Sequence, residues 1–430
     1  MTALTATPQA SGLHWRTGLA YGVLAAPLAF VSLPLYVSLP HYYASVAQAP
    51  LAALGGVLLA TRALDALIDP ALGRLADRLF QQGEGKPWRA AALGCGVLAV
   101  GFALLWHPPT GSQTAMLAWL AGVLLLTTLA YSWVSILHQT WGTRWGGAPR
   151  WRASVTAWRE AATLSGVLLA SALALWLGKD ASSAVLALGL ALGLWSLHGL
   201  RSPGGDRAAQ NAEPPSPGSP WSNPGFRWLM LVFVLNGIAS AIPATLLPFF
   251  VADRLQAVGL QPWFLLGYFG AAALGLPLWL RVVSCWGLGP SWRASMGLAV
   301  LAFAATPWLG AGDGAVFFAI CVASGLALGA DLALPGALLT GVIHQAGAGG
   351  QGAGRYLGWW TCASKLNLAL AGGLALPLLS WAGYRSGSAD ASAVSVLAWT
   401  YAGLPCVLKL CAAMALWRAE RRNPTWRQKS

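Results

Sequence analysis

Asp65 and Asp69 are the two residues of this sequence most able to do chemistry. They stand one helical turn apart within the apolar stretch that begins at Leu51. The i, i+4 spacing puts both carboxylates on one helix face, and Arg62 lies one turn before Asp65 on the same face. At 1.5 Å per residue Asp65 is ~21 Å of helix from Leu51, near the middle of a bilayer. A charge at that depth costs ~2.5–3.5 kcal/mol even on lenient insertion scales. Burial and mutual repulsion disfavour two unpaired carboxylates. Two outcomes satisfy them. Either they bind a coupling cation, Na⁺ or a shared proton, or Arg62 and a lysine neutralise them as a structural bridge. The lysine in view is Lys365, about ten residues into a second apolar run and too deep to snorkel freely. Two acids and one lysine total −1, and one monovalent cation brings the set to zero. A neighbouring hydroxyl such as Ser132 would add an oxygen for Na⁺, and no other metal is implied.

Other polar residues in apolar runs are candidates for contact with a solute. Asp331, in GLALGADLALPG, is a third acid at membrane depth; a substrate contact, a second proton site, a partner for a basic group and a hydrogen-bonded buried acid are all open to it. Arg159-Glu160 is expected near the interface as a gating or solvated pair, with Arg159 able to reach a solute. Asn367 is two residues from Lys365 and so faces elsewhere. Of 24 tryptophans, many fall near the ends of apolar runs, as interfacial belts do. Trp133, Trp359 and Trp360 fall inside runs, where they either stack on a ligand or pack against lipid and helices.

These residues need a membrane scaffold, and composition supplies it. The 430 residues are 57% hydrophobic and 9% charged, against about 25% charged in soluble domains. Continuous apolar runs at 17–39, 51–79, 90–107, 114–141, 153–176, 181–200, 226–251, 262–286, 292–310, 314–344, 356–382 and 391–417 predict an all-α integral membrane protein with twelve transmembrane helices. Their continuity argues against a barrel. The net charge of +13 comes from Lys and Arg gathered in alternate connections. Twenty of the 26 lie in one set of loops and span ends, and only Lys179, Arg254 and Arg385 in the other. The positive-inside pattern places both termini in the cytoplasm. No DNA-binding motif is present, so nucleic acid is not an expected partner. Six cysteines sit almost all in apolar runs without metal spacing and read as small buried hydrophobes.

Ser202–Pro224, rich in Pro, Gly and Ser, reads as a linker between the sixth and seventh spans. The expected organisation is a six-helix half at 1–201 carrying the cation site, a cytoplasmic linker at 202–225, a second six-helix half at 226–417 and a basic tail at 418–430. Leu67–Arg74 and Gly275–Arg281 occupy the second span of each half, a faint repeat whose C-terminal copy lacks both acids.

The motif Arg62-x-x-Asp65-x-x-x-Asp69-Pro70-x-x-Gly73-x-x-x-Asp77-Arg78, followed by Gly85-Lys86-Pro87-Trp88, resembles the second-span signature of the glycoside–pentoside–hexuronide:cation symporters. These form the melibiose-permease branch of the major facilitator superfamily. Leu19-Ala20-Tyr21-Gly22, Leu334–Leu339 and Gly354–Thr361 with Lys365-Leu366 resemble that family's first, tenth and eleventh spans. The resemblance implies the major facilitator fold, alternating access, and coupling to Na⁺, H⁺ or Li⁺. It puts Asp65 and Asp69 on the cation-site acids, Lys365 on the lysine linking cation and sugar sites, Ser132 near a hydroxyl ligand and Arg159 on the fifth-span arginine. The departures bear on substrate. Ala29 and Ser135 align with the two sugar-binding acids and Gln139 with a nearby tryptophan, while Gly341-Val342-Ile343-His344 replaces an acidic element. Losing those carboxylates argues against a typical glycoside. It favours a more apolar or anionic solute, with Arg159 and Lys365 available to an acid group. The family likeness extends to sodium-coupled lysophospholipid carriers.

The expected function is therefore symport of a small solute with Na⁺ or H⁺ across the inner membrane by a monomer without cofactors. An H⁺-driven antiporter or exporter and a non-transporting sensor are the rivals. An enzyme is not expected: the histidines are scattered, and His138 alone falls near the cavity stretch without an acid at metal spacing.

Overall fold

The computed structural model describes residues 13–35, 39, 42–43, 51–83, 85–145, 147–173, 178–198, 200, 219–349, 352–381, 384 and 391–427. The central part of the predicted linker, residues 202–218, lies outside them. The described chain is built from helices α1 (Trp15–Gly22), α2 (Ala25–Leu33), α3 (Leu51–Gln81), α4 (Gly85–Leu105), α5 (Gln113–Arg144), α6 (Pro149–Leu173) and α7 (Lys179–His198). After residue 218 come α8 (Pro224–Phe249), α9 (Gln261–Trp286), α10 (Leu288–Phe303), α11 (Gly314–Gln345), α12 (Ala353–Trp381), α13 (Ala391–Ala398) and α14 (Leu404–Arg422). Among the described residues, seven helices are long and apolar enough to cross a membrane. Large apolar side chains face outward, as lipid-facing ones do: Leu59 is 70% exposed, Leu301 76% and Trp381 94%.

The helix ends explain where the apolar runs and the helices part. α6 begins at Pro149, four residues before the run at 153–176, because proline at the first helical position needs no N–H partner. α9 and α10 join through Gly287 alone, whose φ of 84° is open to glycine without strain. The predicted basic tail is helical through Arg422 and continues as a short 3₁₀ turn at Pro424–Arg427.

The N-terminal helices share an apolar core around Leu98, Phe102 and Leu190 and a smaller one around Phe80, Ile136 and Leu137. The C-terminal helices build two, around Trp292 and Phe317. The first of these also takes in Ala153, Ala157 and Leu164 of α6, so the two sets of helices meet there. The main crossings between them are α3 on α12, α6 on α11 and on α9, and α5 on α12. Small residues make the crossings close. A methyl on Gly73 would collide with the Gly354 carbonyl, and one on Gly358 would come within 2.6 Å of the Asp69 carbonyl.

One end of the bundle is sewn shut by these crossings. Asp77 of α3 accepts the backbone N–H groups of Gly354 and Arg355, the first turn of α12, at 2.6 and 2.9 Å. It thereby satisfies two of the donors that every helix start leaves open. The Arg355 side chain adds an ion pair at 3.5 Å. Beside it, His344 of α11 meets the Thr143 carbonyl of α5 at 2.7 Å. This end also carries Arg74, Arg78, Arg144 and Arg150, and is the basic end below. Near the other end α3 is loosely covered, and a methyl on Gly55 or Gly56 would meet nothing within 4 Å.

Candidate cation and solute site

Gly354, Gly358 and Lys365 lie at i, i+4 and i+11 on α12, so they share one face. The two glycines bring that face against α3, and Lys365 lands among the acids. Its Nζ is 2.7 Å from Oδ2 of Asp65, and 2.9 and 2.8 Å from Oδ1 and Oδ2 of Asp69. It also donates to Ser132 Oγ of α5 at 2.7 Å, and Ser132 donates onward to Asp65 Oδ1 at 2.9 Å. Three helices thus converge on five oxygens and one ammonium. Asp65 is 5% exposed, while Asp69 and Ser132 are fully buried.

Oδ2 of Asp69 is the odd atom. The Lys365 ammonium lies within ion-pair distance of it but is aligned to bond Oδ1, leaving Oδ2 buried without a hydrogen bond. The ammonium, 2.8 Å away, compensates its charge, and the cluster as a whole remains one charge short of neutral. Pro70, directly after Asp69, also removes one bond of the α3 ladder. Arg62 is exposed, and the ion pairs seen at the two acids are made by Lys365.

Beside this cluster a cavity of about 450 Å³ lies between the two sets of helices, lined in part by Ser135, Gln139, Arg159, Glu160, Asp331, Trp360, Ser364 and Lys365. Of the sequence candidates, Arg159, Ser135, Gln139, Asp331 and Trp360 are therefore brought together with the cation cluster. Trp360 stacks on Phe233 with ring centres 3.6 Å apart. Trp133 and Trp359 are placed elsewhere. Trp133 follows Ser132 by one residue, about 100° around the helix, and its Nε1 donates to Ala90 of α4. Trp359 packs edge-on against Trp221. Asn367 is buried near Gly237 of α8, away from the Lys365 face.

One pairing revises the expectations and a second selects among them. The Arg159–Glu160 pair is not interfacial. With α6 starting at Pro149 it lies ~15 Å into the helix, and both side chains are largely buried. Glu160 Oε1 accepts from Nε and NH2 of Arg159 at 3.0 and 2.6 Å. Arg159 is thus neutralised by its neighbour and Lys365 by two aspartates, so neither stands available to an acidic solute group as the sequence suggested. Asp331 accepts from Trp292 Nε1 at 2.8 Å and pairs with Lys409 of α14, also at 2.8 Å, and Lys409 donates on to Asn236. Glu160, expected as part of an interfacial pair, is a further acceptor in the cavity wall.

A helical bundle whose two sets of helices enclose a polar cavity and a buried charge cluster, sealed at one end, is the architecture of a membrane transporter. The chain belongs to the MFS/sugar transport protein family, whose model matches residues 18–197 and 218–420. Members of that family are multi-pass membrane transporters and not enzymes. The chain is 30% identical to the inner membrane symporter YicJ of Escherichia coli over 160 residues, 37% of this chain and 34% of that protein. It is 26% identical to the uncharacterized symporter YjmB of Bacillus subtilis over 138 residues, 31% of this chain and 30% of YjmB. The matched stretches thus span about a third of these relatives' length. Among solved structures, a bacterial homologue of the iron transporter ferroportin in an outward-facing state superposes with a TM-score of 0.67 at 15% identity, over 95% of this chain and 100% of that one. The major facilitator transporter FucP in the outward conformation gives 0.67 at 11% identity, over 94% and 98%. At these identities the likeness is one of fold.

Proposed function

We propose that the chain is a cation-coupled symporter of the inner membrane. Asp65, Asp69 and Ser132 bind the coupling ion, Na⁺ or H⁺, and Lys365 links that ion to the solute cavity. The observation that carries this reading is a buried cluster of two carboxylates, a hydroxyl and one ammonium whose formal charge is −1. Carboxylate and hydroxyl oxygens suit a hard monovalent cation, and a proton on Asp69 would neutralise the cluster as well. The Lys365 ammonium sits among the oxygens that an ion would contact. An arriving cation competes with it, and the lysine turns toward the cavity it already lines. The filled, neutral cluster is cheaper to carry through the conformational switch than the charged one.

Twelve spans in two six-helix halves, at 1–201 and 226–417, with both termini in the cytoplasm, accord with the basic end as the cytoplasmic one. The conformation is then closed to the cytoplasm, with the cavity reached from the outside. Opening to the cytoplasm requires α3 to part from α12 at Gly73 and Asp77, and α6 from α11 at Gly336 and Gly341. Arg62 modulates the charge of α3 from its exposed side. In the cavity, the cations nearest the solute are already paired, while Ser135, Gln139 and Ser364 offer neutral donors and acceptors beside the Trp360 ring. The solute that fits is small, polar and uncharged, and not a typical glycoside, because the two expected sugar acids are Ala29 and Ser135.

The test is a thermal-shift screen of purified protein against neutral, anionic and cationic solutes, each with Na⁺ or choline and at two pH values. Symport predicts a neutral solute whose stabilisation grows with the coupling ion, because linked binding is reciprocal. Stabilisation by solutes that is indifferent to both ions would reject the coupling site. Proteoliposomes with an imposed inward ion gradient then separate symport, which accumulates solute, from antiport, which expels it.

A further inference from the structure

Below the central cavity, toward the basic end, lies a separate small cavity of about 20 Å³. That is room for one water-sized particle or one small ion and too little for an oxyanion such as phosphate. Its charged lining is of one sign. Arg152 and Arg159 both face it, with Thr143, Gln139, Thr340 and Tyr21, and no carboxylate is among the lining residues. Arg159 has its counter-charge in Glu160. Arg152 does not: among the described residues its guanidinium makes no hydrogen bond or ion pair, and its Nε is buried without a partner. An arginine in a protein stays protonated; Arg152 is partly buried, and a partly desolvated charge without a counter-charge is unfavourable. The hydroxyls of Tyr21 and Thr340 are already committed as donors, to the His138 and Gly336 carbonyls. The Thr143 hydroxyl and the Gln139 amide retain donors.

We infer that this cavity is a halide site: a chloride ion held between Arg152 of α6 and the facing α11, with Thr143 and Gln139 completing its donors. The charge sign, the size and the donor set all select a small monoatomic anion. The site is composite. Arg152 packs against Gly341, where a methyl on the glycine would run into its guanidinium, so the cavity exists only while α6 and α11 are together at the basic end. Chloride bound there favours the conformation closed at that end and must leave, or lose half its ligands, when that end opens. The inference is independent of which cation is carried, since the site is not lined by Asp65, Asp69 or Lys365, although it shares Gln139, Arg159 and Trp360 with the solute cavity.

The experiment is a melting titration of the purified full-length protein with sodium chloride, sodium bromide and sodium gluconate, at equal sodium and equal ionic strength. Crystals grown in bromide are examined in parallel for anomalous scattering. The expected result is a saturable upward shift of the melting temperature with chloride and bromide but not gluconate, its loss in Arg152→Gln, its weakening in Arg152→Lys, and a bromide peak between Arg152 and α11. If Arg152→Gln fails to fold, the wild-type anion series, Arg152→Lys and the bromide peak decide alone. Equal response to all three salts, or a cavity that scatters as water in bromide, would overturn the assignment. A halide response retained in Asp69→Asn, beside a lost Na⁺ or H⁺ response, would show the anion site and the cation site to be separate.

Discussion

Replacing Lys365 by methionine keeps the volume of the side chain and removes a cation that touches Asp65, Asp69 and Ser132. The cluster goes from −1 to −2 while Asp69 stays fully buried. Removing one partner of a buried ion pair costs ~3–5 kcal/mol, so in choline at neutral pH Lys365→Met should melt several degrees below wild type. The ion response should move the other way. A unit charge ~4 Å from a bound cation is worth ~4 kcal/mol at an effective dielectric constant of 20. A cation entering the variant no longer meets that repulsion. Ion binding stabilises by RT ln(1 + [L]/Kd), ~2.7 kcal/mol at a hundredfold excess over Kd. Tighter binding therefore enlarges the increment on adding Na⁺, or on acidifying if the ion is a proton. The paired variant Lys365→Met with Asp69→Asn restores −1 and should regain most of the lost stability. The assay is thermal unfolding of detergent-purified protein in Na⁺ or choline at two pH values. If Lys365→Met melts with wild type and answers the ions no more strongly, the lysine is not the counter-charge of this site and the charge accounting is refuted.

Three further outcomes follow from the contacts. Gly354→Val places a carbon against the Gly73 carbonyl and 2.9 Å from Asp77 Oδ1. Overpacking of ~1–3 kcal/mol should open the basic end, read as faster labelling of Thr340→Cys by an impermeant thiol reagent in a background lacking the native cysteines. Asp77→Ala removes the two bonds to the start of α12 and should cost ~1–2 kcal/mol, with the same rise in labelling; Asp77→Asn should do less. Lys409→Met leaves Asp331 buried without its cation and should destabilise by ~3–5 kcal/mol. Lys409→Met with Asp331→Asn should recover much of that, and equal melting of the single and double variants would show that the pair does not act as one.

How much of this was legible beforehand depends on whether a residue's needs are local. Asp65 and Asp69 announce themselves by spacing alone, and lipid allows so few cations that Lys365 is nearly forced as their partner. Ser132 was reachable through the resemblance. Asp331 and Lys409 are equally expensive in lipid, but they stand 78 residues apart on different helices, and no sequence period joins them. Trp133 was drawn toward the cavity by its nearness to Ser132, although adjacent helical residues diverge by about 100°. Arg159-Glu160 was placed too shallow because apolar runs do not register the polar first turns of α6, which Pro149 starts. The availability of Arg159 and Lys365 to an acidic solute failed for a related reason: sequence shows a charge, and only packing shows whether it is already matched. The glycine faces of α3 and α12 were visible as residues, but their function, backbone approach that lets Lys365 reach Asp69, is a property of the pair.

The central claim is that Asp65 and Asp69 bind the ion that drives transport. The most direct measurement is accumulation of the solute found by the thermal-shift screen in proteoliposomes, under an inward Na⁺ gradient, an inward H⁺ gradient or none, for wild type, Asp65→Asn and Asp69→Asn. Wild type should concentrate the solute under one of the two gradients. Both variants should lose that concentration while still binding the solute. Gradient-driven accumulation at the wild-type level in either variant would contradict the account.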